Sequence, residues 1–255
     1  MERKKAKQPP VKLLGCDCSL NHSGFSLVQG GEQIGYWYLT DHKAAGAKSR
    51  GRWLEPTKSK DRDVVFGAKL PQLFVHFTDI IELAKPDFAF IEGPAYGKQG
   101  MEYQLGGAHA IILLALNAAG VPARILNPWD CYDFVSSWAE KHGLDPSEDE
   151  LKEIAKDENK ARRIHLAETV LGFEGIQATK ASPKNTTIPE DLADARIVAE
   201  LGYIEFELRM GRITLAELPA GLVKAFNRVT KKNPINMLAK SWVADDPAEA
   251  ERRMR

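Results

Sequence analysis

A chain of 255 residues, 44% hydrophobic and 27% charged, is long enough to bury a core and has an ordinary globular composition. Its formal net charge is zero, so bulk charge points to no polyanionic partner. The three cysteines (Cys16, Cys18 and Cys131) are odd in number, which argues against a disulfide framework and suits a reducing compartment.

Residues 1–12 form a basic arm without a following apolar segment, so no secretory signal is expected. No stretch reads as the ~20 apolar residues of a membrane span, and the expected location is cytoplasmic. Residues 13–18 and 24–30 read as strands around the polar turn Asn21-His22-Ser23-Gly24, followed by a third strand at 34–40. Cys16 and Cys18, alternating with Asp17, read as small core residues; no second close Cys or His pair completes a zinc site. The stretch 42–62 is rich in Lys and Arg and reads as a loop. Apolar residues at helical spacing mark 64–84, with Pro71 as an expected irregularity.

The run 88–93, "FAFIEG", is typical of a strand covered on both faces. Residues 105–119 form a nearly all-apolar helix that must be buried, stopped by Gly120. A strand at 121–128 and helices at 130–142, 147–156 and 158–171 follow. After a polar loop at 179–189, "EDLADARIVAELGYIEFELR" begins the last clear helix. Residues 244–255 are charged and lack a hydrophobic period, which suits a disordered tail or a lone surface helix. Strands first, then alternating helix and strand, make an α/β fold with a mixed sheet.

Four carboxylates occupy costly positions. Asp17 interrupts the first strand, Glu92 ends the "FAFIE" strand, and Asp191 and Asp194 lie three apart on a helix. Each alone is explicable as a turn cap, an ion-pair partner or a helix N-terminal charge. Together they would repel and take up protons unless a cation joined them. Carboxylate oxygens suit Mg²⁺, and two such ions ~3.5–4 Å apart can promote phosphodiester hydrolysis.

The blocks Gly15-x-Asp17 with Ser23-Gly24-Phe25, "KPDFAFIE" (85–92), "LGGAHAIILLALNAAGVPA" (105–123) and "DLADARIVA" (191–199) appear in this order. They resemble the RuvC-like Holliday junction resolvases of the RNase H-like superfamily. The resemblance spans about residues 13–200. It implies an RNase H-like mixed five-stranded sheet flanked by helices, in a nuclease domain at 13–205 with insertions at 42–62 and 140–156. A C-terminal extension, 206–255, would be basic and partly disordered. The resemblance assigns Asp17, Glu92, Asp191 and Asp194 as catalytic acids holding Mg²⁺, two ions per site, with Mn²⁺ as a substitute. Cys18-Ser19 stand where the family has Pro-Gly, and the insertions make this a phage or otherwise divergent pattern.

The charge map and the resemblance together nominate DNA contacts. Tyr96, Lys98 and Gln99 follow Glu92 on a loop, and an exposed tyrosine can stack on a base. Arg50, Arg52 and Lys58 lie in the basic loop. Lys160, Arg162 and Arg163 open a helix, with Lys160 the first choice beside the scissile phosphate. His22 and His165 are candidate proton donors. The expected activity is paired cutting of four-way junctions, giving 5′-phosphate and 3′-hydroxyl ends. The expected partner is branched DNA, with a homodimer helped by the apolar helix 105–119 and no membrane. The alternatives are a nuclease for flaps, forks or RNA–DNA hybrids, or a non-catalytic junction-binding protein.

Overall fold

The computed structural model describes residues 10–41, 52–54, 61–94, 102–144, 146–155, 158–173, 190–231 and 234–253. Lys12–Cys18 (β1), His22–Gln29 (β2) and Glu32–Thr40 (β3) form an antiparallel meander. The polar turn before β2 closes locally: the Ser19 and Ser23 hydroxyls bond backbone groups of the same turn. Phe88–Glu92 (β5) lies parallel to the far side of β1, and Ala123–Leu126 (β6) lies parallel to β5. This order, β3-β2-β1-β5-β6 with the first three strands antiparallel and the rest parallel, is the RNase H-like sheet.

A sixth strand departs from the expected five. Arg52–Trp53 (β4) pairs parallel with Leu39–Thr40 at the sheet edge, inside the stretch expected to be a loop. Two residues are too short to carry a period-2 signal, so the pattern could not reveal them.

Alternation along the strands sorts the core into two layers. Leu14, Cys16 and Cys18 of β1 and Ala89 and Ile91 of β5 face α1 (Arg62–Ala84) and α2 (Glu102–Ala118). Leu13 of β1 and Phe88 and Phe90 of β5 face the other way, toward α3 (Pro128–Lys141) and α6 (Glu190–Arg209). Between these helices, α4 (Glu148–Ile154) begins with a Ser147/Glu150 capping box, and α5 (Glu158–Thr169) packs against α6.

Helix α1 continues through Pro71. Contrary to the sequence expectation, Asp63–Ala84 is long and apolar enough to cross a membrane by length and composition, with mean hydropathy 1.3. Phe66, Leu73, Phe77, Ile80 and Ile81 lay its apolar side on the sheet, and buried Lys69 bonds Asn21 and Asp41. The apolar α2 buries Ala108, Ile112, Ala115 and Leu116, while Leu114 stays exposed.

Helix α6 runs unbroken across position 205, where the C-terminal extension was expected to start. Beyond it, α7 (Ala220–Asn227) and α8 (Pro247–Arg253) add Leu222, Phe226 and Ala250 to the same core. Trp242 packs on Phe88 and Phe90, with ring centroids 4.9 and 5.6 Å away. The Val243 backbone bridges to Ala123. Helix α8 therefore docks in a place the sequence reading left to a disordered tail or lone helix.

Candidate active site

The β1 alternation that sends Cys16 and Cys18 into one core layer turns Asp17 to the other face. The same alternation in β5 puts Glu92 on the face of Phe88 and Phe90. Because Cys16 pairs with Ile91, both carboxylates sit side by side at the C-terminal ends of neighbouring parallel strands.

Two glycines let α6 reach them. A Cβ at Gly15 would lie 2.2 Å from the Ala195 carbonyl oxygen, and one at Gly24 would lie 2.0 Å from that of Asp191. Only hydrogen at these positions allows the helix backbone to lie on β1 and β2. Gly24 is the β2 residue directly opposite Asp17, so this contact brings the start of α6 over the first acid. Asp194 then completes a cluster: Asp17, Glu92 and Asp194 each offer a carboxylate oxygen within 4.8 Å of the others.

Asp191 lies outside that trio. Three residues of a helix leave an offset of about 60°, and Asp191 falls on the β2–β3 side. There the Tyr38 hydroxyl donates to its Oδ2 at 3.4 Å. Tyr38 in turn reaches His22 Nδ1 at 3.2 Å, and that nitrogen also meets the Thr40 hydroxyl at 3.2 Å. His22 therefore lies two contacts from Asp191, beside the site. His165 lies on α5 among Arg162, Leu144 and Pro146, around a small surface recess.

The electrostatics are those of crowded acids. Burial pushes the Asp17 carboxyl well above its ordinary range, and Glu92, Asp191 and Asp194 push it further. Burial raises Glu92 to about 7 against the opposing pull of Arg163. Asp194 is also raised well above the usual range, by burial first, with Arg163 opposing and Glu92 adding repulsion. Burial raises Asp191 as well.

Arg163 is the counter-charge the protein itself provides. Its guanidinium donates to Asp194 Oδ2 at 2.7 Å and to Glu190, and lies 5.5 Å from the centre of the Tyr132 ring. The sequence nominated Arg163 as a DNA contact, but the structure places it among the carboxylates. Lys160 is half-exposed and bonds Glu190, at the rim of the cluster. Arg162 lies on another face of α5 and bonds Glu158 at 2.9 Å, turned away from the acids. That divergence follows from the ~100° step between consecutive helical residues.

Tyr96, Lys98, Gln99, Arg50 and Lys58 lie outside the described residues, and of Arg52 only the backbone, in β4, is described. The reading of residues missed Glu190 and Tyr38 as neighbours of the acids. Glu190 stood beside Asp191 in the same acidic block. Tyr38 carried no local signal, because only sheet register brings it near.

No protein-family model matches the chain, and no curated protein matches it. Solved structures do. T. thermophilus RuvC in complex with a Holliday junction substrate is 16% identical, with TM-score 0.48 over 79% of this chain and 96% of that one. A Thermus thermophilus RuvC structure is 17% identical, with TM-score 0.47 over 79% of this chain and 97% of that one. The yeast mitochondrial Holliday junction resolvase Ydc2 is 15% identical, with TM-score 0.43 over 77% and 80%.

Proposed function

We propose that this chain is a metal-dependent endonuclease that cuts branched DNA, and that its substrate is the four-way junction. The observation carrying the hydrolytic part is the meeting of Asp17, Glu92 and Asp194 oxygens within 4.8 Å at the ends of two parallel strands. The junction as substrate rests on the sequence blocks that resemble the RuvC-like resolvases.

The residues fit a hard divalent cation. The donors are all carboxylate oxygens, the ligand type Mg²⁺ prefers, and Mn²⁺ accepts the same set. Without a cation, three crowded acids hold protons at pH values where isolated carboxylates are ionised. Asp17, Glu92 and Asp194 would hold the ion, with Asp191 placed to take part from the Tyr38 side. When bound, Mg²⁺ supplies positive charge to a phosphodiester and lowers the cost of deprotonating water.

The chain's own residues do the rest. The two strands and the glycine-seated helix hold the carboxylates in place before substrate arrives, which is the preorganisation that makes electrostatic stabilisation effective. Arg163 offsets the charge of Asp194 and Glu190, and Lys160 at the rim is placed to meet a phosphate oxygen. Tyr38 orients Asp191. Hydrolysis in this arrangement would leave a 5′-phosphate and a 3′-hydroxyl. Two cuts of like polarity need two sites, which a homodimer would provide.

A panel of four-way junction, flap, fork and RNA–DNA hybrid, each with and without Mg²⁺, tests the reading. Preference for the four-way junction supports it, and preference for flaps or hybrids moves the substrate within the same chemistry. Binding of the junction without cutting under any divalent ion would make the chain a junction-binding protein.

A further inference from the structure

Trp129 is 65% exposed, whereas the other described tryptophan side chains, Trp37, Trp138 and Trp242, are partly or fully buried. With Tyr132 it forms a paired aromatic surface open to solvent, and the backbone that carries it is held in place. Asn127 caps α3 by accepting the Trp129 N–H at 3.0 Å, and Pro128 occupies the first helical position, so the backbone beneath the indole is fixed. The position is also specific. Leu126, three residues earlier, is the β6 residue paired with Glu92. Trp129 therefore projects from the same end of the sheet as the acid cluster.

A continuous chain of contacts joins the indole to that cluster. Trp129 and Tyr132, on one turn of α3, lie with ring centroids 5.7 Å apart and planes at 45°. Tyr132, itself 37% exposed, lies beneath the Arg163 guanidinium, which is bonded to Asp194. An aromatic surface open to solvent on one side and braced by a cation on the other suits the face of a nucleobase. Packed duplex DNA offers no such face; an unstacked nucleotide at a branch point does.

We propose that Trp129, backed by Tyr132, is the stacking platform for an unpaired DNA base beside the phosphate addressed by the acid cluster. The inference rests on the branched-DNA reading above. It adds a binding residue on α3 to those nominated from the sequence.

The test uses the full chain and a synthetic four-way junction with 2-aminopurine at single crossover positions, in Ca²⁺ so that binding is read apart from cutting. Stacking on Trp129 should quench 2-aminopurine emission at one or two positions. Trp129→Ala should abolish that quench and weaken binding about tenfold, while Trp129→Phe should retain most of both. An abasic site at the quenched position should remove the difference in affinity between wild type and Trp129→Ala. Equal quenching and affinity in wild type and Trp129→Ala would overturn the platform. So would a change of oligomeric state in Trp129→Ala with no change in quenching, which would make the indole a contact between copies. A Trp129-dependent quench without any cutting in Mg²⁺ would sustain the platform and remove the nuclease; cutting without the quench would do the reverse.

Discussion

Arg163 on α5 donates to Oδ2 of Asp194 on α6 at 2.7 Å, so a cation from one helix is locked onto an acid of the next. The same guanidinium reaches Glu190 and opposes the rise of Glu92 and Asp194. The fold thus carries part of the positive charge that its acid cluster requires.

Arg163→Gln should therefore destabilise the metal-free protein, because Asp194 loses its partner while staying buried and Glu190 keeps only its bond to Lys160. Breaking a buried pair costs about 3–5 kcal/mol, and partial solvent access to Glu190 places the expectation at the lower end. Urea unfolding should show the loss without divalent ion and a smaller loss in saturating Mn²⁺, which would supply replacement charge. An equal loss in both conditions would mean that no cation enters beside Asp194.

Asp17→Asn should do the opposite to the metal-free protein. The folded-state pKa of Asp17 is raised, so the folded chain binds more protons than the unfolded chain above the ordinary carboxylate range. Stability consequently falls as pH rises through that interval. Glu92 adds a fall between its ordinary 4.5 and about 7. Removing the Asp17 charge should raise the urea midpoint at pH 7.5 without metal, while abolishing cutting and leaving junction binding intact. A lower midpoint would indicate that the Asp17 carboxylate is a structural hydrogen-bond acceptor.

The strands and the buried helices were legible because periodicity reports them directly, whereas the grouping of Asp17, Glu92, Asp191 and Asp194 came from the resemblance of the sequence blocks. Asp17 and Glu92 each follow apolar alternation to a strand end, and parallel pairing then places them together. The position of Asp191 was less legible: a spacing of three on a helix puts two residues on one broad face, but only Asp194 comes within 4.8 Å of both Asp17 and Glu92, while Asp191 meets Tyr38. Arg163 was visible as a basic residue, yet whether a helix turns it to DNA or to carboxylates depends on how α5 docks on α6. The place of Trp242 in the core was hidden because its partners, Phe88 and Phe90, are more than 150 positions away, in a segment with no hydrophobic period of its own.

Gly24→Ala tests the seating of α6. The added methyl would meet backbone atoms of Asp191 and Leu192 rather than the end of a flexible side chain. Overpacking of this kind costs about 1–3 kcal/mol or more. Chemical denaturation should show that loss, and cutting should fall further than stability predicts because Asp194 moves with the helix. Full activity at unchanged stability would mean that α6 is not held against β2 as described.

His109 gives a pH response independent of the acids. It is buried on α2, its Nδ1 has no hydrogen-bond partner among the described residues, and burial lowers it from 6.5 to about 4. A depressed pKa makes its stability contribution complete above 6.5 and lost as pH falls toward 4, reaching about 3 kcal/mol by linkage. The difference in urea midpoint between wild type and His109→Leu should therefore shift in favour of the variant as pH drops from 7 to 4.5. A pH-independent difference would show that His109 is protonated equally in both states.

A synthetic four-way junction shows whether Asp17, Glu92 and Asp194 form a divalent-cation site for cutting branched DNA, as proposed. Labelled junction is incubated with wild type and with Asp17→Asn, in Mg²⁺ and in EDTA, and the ends are resolved on a sequencing gel. Wild type should give symmetric cuts bearing 5′-phosphates in Mg²⁺ alone, with Asp17→Asn bound to the junction but inactive. Cutting in EDTA, or cutting by Asp17→Asn at the wild-type rate, would contradict the proposal.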